Sequence, residues 1–88
     1  MNRYARAPGA AGAEVDGEVV VLSPSDLRYH GLNESAAAVW DLLEQPSTAA
    51  DLVDRLLEQF DVDRAECEAD VGAHLAELVE LGLVVATP

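Results

Sequence analysis

The sequence has no lysine, a single cysteine and no long apolar run among its 88 residues. Because one cysteine cannot form an intrachain disulfide, a disulfide-stabilised secreted fold is excluded. The strongly apolar runs reach only four or five residues, too short for a transmembrane helix or for the apolar core of a signal peptide. We therefore expect a cytoplasmic protein that does not enter a membrane.

The absence of lysine leaves five arginines against 17 acidic residues, for a net charge of -12. The imbalance is uneven, with a net charge of -1 in residues 1–32 and -11 in residues 33–88. Such a surface repels nucleic-acid phosphates and anionic lipid, because binding to both relies on basic side chains. The charge disfavours nucleic acid as a partner and favours a protein, a peptide or a cation.

The length allows one domain, and a chain this short is not expected to enclose a large active site. Half of its residues are hydrophobic, so it is too apolar to be intrinsically disordered. Residues 1–12 show no apolar periodicity, and we predict a flexible N-terminal arm there. Residues 13–88 form the predicted folded domain.

Three short strands are predicted in the first third of the domain. Asp16-Gly17 is typical of a tight turn between two strands, the second of which is residues 18–22. The alternating segment Leu27–Leu32 predicts a third strand. The period of two places Leu27 and Tyr29 on one face of this strand, with Arg28, His30 and Leu32 on the other.

Three helices follow the strands, each with a capping residue at its start. Asn33 suits the first N-cap, and Thr48 with Asp51 gives a capping box. A long third helix begins near Asp63 and runs to Leu81, with Gly82 as its C-terminal cap. The second helix has the clearest apolar stripe, formed by Ala49, Leu52, Val53, Leu56, Leu57 and Phe60. The order predicts an α+β fold of winged helix-turn-helix type, with a three-stranded antiparallel sheet followed by three helices.

No pattern for catalysis or metal binding is present in the sequence. The acidic segment from Asp61 fails as an EF-hand loop, because its sixth residue is Glu66 and its twelfth is Gly72. Cys67, His30 and His74 lack zinc spacing, and no serine lies in a nucleophile elbow or phosphate loop. We expect no enzyme activity, no metal and no cofactor.

Two binding roles remain open for a fold of this shape. A winged-helix regulatory or interaction domain is one, although acidic residues dominate the helix that would enter a DNA groove. The other is capture of an extended peptide at the edge of the sheet. Tyr29 fits both a packed position and the lining of a surface groove, whereas Trp40 fits the core.

The order and spacing of several motifs are similar to those of one known family. These motifs are Asp16-Gly17-Glu18-Val19-Val20, residues 29–34, Ala38-Val39-Trp40-Asp41-Leu42-Leu43, and Asp70-Val71 followed by Leu75, Leu78 and Leu81-Gly82-Leu83-Val84. Over about residues 13–85 the chain resembles the PqqD-like family, the precursor-peptide recognition elements (RREs) of ribosomally synthesised and post-translationally modified peptide (RiPP) pathways.

The resemblance implies a stand-alone protein that binds the leader of a precursor peptide. The recognition proteins of lasso-peptide clusters fit best, and this implies a leader peptidase and a lasso cyclase as further partners. The alternative within the family is a PQQ-type precursor chaperone that serves a radical enzyme. The acidic face of the second and third helices fits a docking surface for the peptidase and equally a solvated exterior.

The resemblance also implies that the leader adds as an antiparallel strand to the third strand, beside the third helix. The implied site consists of Leu27, Arg28, Tyr29, His30, Asp70, Val71, His74, Leu75 and Leu78. Asp70 would pair with a basic leader residue, or else is an exposed helix acid. The expected state is a monomer, or a weak dimer through the sheet edge.

Overall fold

The computed structural model describes residues 2–88, which form an α+β fold of six strands and three helices. The strands are β1 (Arg3–Arg6), β2 (Ala11–Val15), β3 (Glu18–Leu22), β4 (Tyr29–Leu32), β5 (Ser47–Thr48) and β6 (Val84–Thr87). The helices are α1 (Glu34–Leu42), α2 (Ala49–Gln59) and α3 (Arg64–Glu80). The predicted α+β class is confirmed.

The strands form two antiparallel sheets of three strands each. The hairpin sheet has the order β2-β3-β4 and is the sheet that the sequence predicts. The terminal sheet has the order β5-β1-β6 and was not predicted. It joins the first described residues of the chain to the last, with Arg3 opposite Thr87 and Arg6 opposite Val84.

Strand β1 lies within the segment predicted as a flexible arm, so the structure corrects that prediction for residues 3–6. The Arg6 guanidinium donates to the Trp40 carbonyl oxygen at 2.8 Å and lies 4.3 Å from the centre of the Trp40 ring. Tyr4 packs against the core. Met1, also assigned to the arm, lies outside the described residues.

The hairpin between β2 and β3 has the predicted Asp-Gly turn. Asp16 and Gly17 have φ angles of 52° and 83°, as the tight turn of a twisted hairpin requires. Strand β2 begins two residues before the predicted domain boundary at residue 13. There, Gly12 lies so close to Trp40 that a Cβ atom would be 2.8 Å from the indole nitrogen.

The third predicted strand is shorter than the sequence indicates, because β4 begins at Tyr29. Leu27 has a φ of 57° and belongs to the preceding loop, which corrects its predicted place on the strand. The Arg28 N–H donates to the Asp26 carboxylate at 3.0 Å, and this bond lowers the pKa of Asp26. Hydrogen bonds within the loop therefore direct the chain into the start of β4.

All three predicted helix starts are confirmed. The side chains of Asn33, Thr48 and Asp63 accept backbone hydrogen bonds at the starts of α1, α2 and α3. The apolar faces of the helices meet the inner face of the hairpin sheet in one core, whose fully buried members include Val21, Val39, Leu43, Leu52, Val71, Leu75, Leu78 and Leu83. None of the helices described in residues 2–88 combines the length and apolarity needed to cross a membrane.

Candidate functional site

The free edge of β4 is the first element of the candidate site. In the hairpin sheet, β4 pairs with β3 and, among the described strands, with no other. The Ser23 N–H donates to the Arg28 carbonyl at 2.8 Å, and the register places His30 opposite Val21. Because polar groups alternate in an antiparallel ladder, the N–H and C=O of Tyr29 and Gly31 point to the free edge.

The side chains of β4 divide between the two faces of the hairpin sheet. His30 and Leu32 are half-buried on the helix side, whereas Tyr29 is 69% exposed on the other. The His30 Nε2 atom is buried and has no hydrogen-bond partner among the described residues, with the Asp26 carboxylate 4.0 Å away. Tyr29 is therefore available for contact with a ligand, and His30 is largely covered.

A cavity of about 310 Å³ lies beside α3 and is the second element of the site. Of the predicted α3 residues, Asp70, Val71 and His74 line this first cavity. Leu75 and Leu78 are buried in the core and do not line it, so the structure separates them from the other three. The remaining lining residues were not predicted: Glu34, Ser35, Ala38, Val39, Leu56, Phe60, Val62 and Cys67.

The four predicted residues of the strand side do not line the first cavity. Leu27 and Arg28 are exposed in the loop, while Tyr29 and His30 are in β4. The end of β4 nevertheless leads through Asn33 directly into the first turn of α1, where Glu34 and Ser35 line the cavity. The strand edge and the cavity are therefore consecutive along the chain.

A second cavity of about 770 Å³ lies on the other side of α1. It is formed by the end of the β2–β3 hairpin, by α1 and by the last residues of α2, with Gly17, Glu18, Val19, Leu32, Asn33, Glu34, Ala37, Ala38, Asp41, Leu42, Gln59 and Phe60 as its lining. Three residues, Glu34, Ala38 and Phe60, line both cavities.

The charges around both cavities are acidic. Glu34 and Asp70 line the first cavity, and Glu18, Glu34 and Asp41 line the second. Within residues 2–88, no arginine is among the lining residues of either cavity. Both cavities therefore suit a ligand that combines apolar and basic groups.

Cys67 is buried in the first cavity wall, and this burial raises the pKa of its thiol, with the Asp70 carboxylate adding to the effect. A raised pKa lowers the thiolate fraction and hence the reactivity. Among the described residues, no group of three or more His, Cys, Asp or Glu side chains is arranged to hold a metal ion.

The family model for coenzyme PQQ synthesis protein D (PqqD) matches residues 18–84. Since this match spans most of the sequence, the chain belongs to the PqqD family. The resemblance noted in the sequence is confirmed. A comparison with curated proteins returns no match.

Three solved structures are similar to this chain over most of its length. TbiB1, in complex with the TbiA(beta) leader peptide, is 29% identical with a TM-score of 0.80, and the match covers 91% of this chain and 93% of TbiB1. A lasso peptide synthetase B1 complexed with the leader peptide is 28% identical with a TM-score of 0.75, and the match covers 97% of this chain and 98% of the synthetase B1 chain. The PqqD truncation of Methylobacterium extorquens PqqCD, described as a stand-alone RRE, is 25% identical, with a TM-score of 0.78 and coverage of 94% and 88%.

Proposed function

We propose that this protein is a non-enzymatic RRE that binds the leader of a RiPP precursor by strand addition at β4. The observation that carries the proposal is the free edge of β4. From β4 the chain continues through Asn33 into the first turn of α1, where Glu34 and Ser35 line the cavity beside α3. Support comes from the relatives of the same fold, two of which were solved with leader peptides. Binding in the cytoplasm would deliver the precursor to its processing enzymes.

In the proposed complex, the backbone of the leader supplies most of the affinity. The N–H and C=O groups of Tyr29 and Gly31 pair with an antiparallel leader strand, and such bonds depend little on the leader sequence. Specificity then comes from side chains that enter the first cavity, where Val71 lies in the wall and Asp70 and His74 are nearby.

The remaining predicted site residues have different parts in this mechanism. Leu27 and Arg28 are exposed beside the end of β4, where they would contact the leader as it leaves the strand. His30, Leu75 and Leu78 are half-buried or buried, so they would support the strand and the cavity from behind.

We further propose that the precursor is a lasso peptide and that a leader peptidase and a lasso cyclase are the partners. One of the similar structures is a lasso peptide synthetase B1, at 28% identity over nearly the whole chain. The alternative is a PQQ-type chaperone for a radical enzyme, which the PqqD family model and the PqqCD structure favour. Titration with leader peptides of the two classes distinguishes these assignments.

Fluorescence polarisation tests the proposed function directly. Labelled leader and core peptides of the precursor encoded beside this gene are titrated with the protein at two salt concentrations. Strand addition predicts tight binding of the leader and weak binding of the core, because only the leader fills the first cavity. The binding should persist at the higher salt concentration, because backbone hydrogen bonds supply most of the affinity. Equal binding of leader and core, or no binding by folded protein, would contradict the proposal.

A further inference from the structure

We propose that the bound peptide extends beyond β4, crosses the outer face of α1 and enters the second cavity, and that this extension carries apolar side chains next to a lysine or arginine. The inference rests on the proposed function and adds a second contact region to it. This region is the groove between the β2–β3 hairpin and α1, defined by the lining of the second cavity.

The direction of the peptide follows from the antiparallel pairing with β4. A strand antiparallel to β4 runs from the Leu32 end towards the Tyr29 end. Its N-terminal side therefore extends past Leu32 and Asn33 towards Glu34, where the two cavities meet. The residues upstream of the strand-forming segment are the ones that reach the groove.

The two cavities form one path across α1. Glu34 and Ala38 lie four residues apart on this helix, so they share one face, and both line both cavities. Phe60 borders the path from the end of α2. The small side chain of Ala38 leaves room for a peptide to cross between the cavities.

The surface of the path matches a peptide that is both apolar and basic. Phe60 and Val62 are 43% and 45% exposed, and exposed large apolar side chains beside a groove are typical of a binding surface. The charged side chains in the second cavity are Glu18, Glu34 and Asp41, all acidic. A lysine or arginine on the peptide would pair with them, and the apolar groups would cover Phe60.

The test begins with a probe that needs no knowledge of the natural leader. A displayed library of random 20-residue peptides is selected on the wild-type protein, and the strongest binder is synthesised with stepwise N-terminal truncations. Fluorescence polarisation then measures each peptide against the wild type, Ala38→Leu and the control Ala76→Leu, an exposed alanine on α3 outside both cavities.

We expect truncation and Ala38→Leu to act on the same contact. Each should weaken binding of the full peptide by about tenfold or more, the effect of removing one well-buried apolar side chain. The Ala38→Leu protein should bind the fully truncated peptide as tightly as the wild-type protein does, because this peptide lacks the contact that the substitution blocks. Ala76→Leu should bind as the wild type does throughout.

Charge provides a second test that does not depend on Ala38→Leu folding. The double variant Glu34→Gln/Asp41→Asn is compared with Glu77→Gln/Glu80→Gln, two exposed acids near the end of α3. The first pair of substitutions should weaken binding of the full peptide and reduce the salt dependence of its Kd, whereas the control pair should change neither. Selected peptides should be enriched in lysine or arginine.

The outcomes separate this inference from the proposed function. Selection of no peptide by the folded protein would overturn both. Peptides that bind, but whose affinity is unchanged by truncation, by Ala38→Leu and by the Glu34/Asp41 variant, would overturn the extension and leave strand addition at β4 intact.

Discussion

Replacement of Gly31 by proline should weaken leader binding while leaving the fold intact. Gly31 lies in β4 with its N–H directed to the free edge, so proline removes no hydrogen bond of the hairpin sheet. A Cβ atom at this position would meet no atom within 4 Å, and the backbone is not in the left-handed region. Proline therefore removes a donor that only an added strand would use.

The expected loss follows from that one donor. A missing hydrogen bond costs about 0.5–1.5 kcal/mol, and an acceptor left unpaired on the leader costs about 1–3 kcal/mol. At 1.4 kcal/mol per tenfold, Kd should rise by about 5- to 100-fold. The proline ring at the edge adds steric repulsion in the same direction.

Fluorescence polarisation with the labelled leader measures this loss, and circular dichroism melting checks the fold. Gly31→Ala is the matched control, because it adds a Cβ in open space and keeps the N–H. We expect Gly31→Ala to bind within about threefold of the wild type. If Gly31→Pro melts like the wild type and binds as tightly as Gly31→Ala, strand addition at β4 is refuted.

Three further predictions concern single side chains. Tyr29→Ala should raise Kd about 5- to 30-fold with little change in Tm, because the ring is exposed in the free protein; a lowered Tm would instead give the ring a structural role. Gly12→Ala should lower the free energy of unfolding by about 1–3 kcal/mol, because the added Cβ is pushed against Trp40. Its control, Gly72→Ala, lies in an open part of α3 and should raise the free energy of unfolding by about 0.5–1 kcal/mol. Equal Tm values for the two variants would contradict the packing argument. The rate of Cys67 alkylation by iodoacetamide should rise with pH, and the pH midpoint of this rise should be higher in the folded protein than in the urea-unfolded chain, because burial raises the thiol pKa. Equal pH midpoints in the two states would show that the thiol is solvated.

The local signals in the sequence predicted most of the elements. The Asp16-Gly17 turn and the capping residues Asn33, Thr48 and Asp63 depend on neighbours within a few residues, so they can be identified without knowledge of the fold. Strand β1 has no such signal. Its four residues are stabilised by pairing with β6, about 80 positions later in the chain, and that pairing leaves no periodic pattern.

The candidate site was predicted less completely than the fold. Asp70, Val71 and His74 line the first cavity, but the contribution of α1 was missed because Glu34, Ser35 and Ala38 are small or polar residues on a helix surface. Phe60 was assigned to the apolar stripe of α2, yet it borders both cavities. Which side of a helix faces a groove depends on tertiary packing, which sequence spacing alone does not specify.

The position of β1 at the centre of the terminal sheet has a consequence for biosynthesis of the chain. Both of its partners, β5 and β6, follow it in the chain, and β6 lies about 80 residues later. At about 5–20 residues per second, synthesis of the intervening 80 or so residues takes about 4–16 s. During this interval β2, β3 and β4, which follow one another directly, can form the hairpin sheet, whereas β1 still lacks β6. Pairing of β1 with β6 therefore follows the synthesis of the hairpin sheet, which supplies the strand edge of the candidate site.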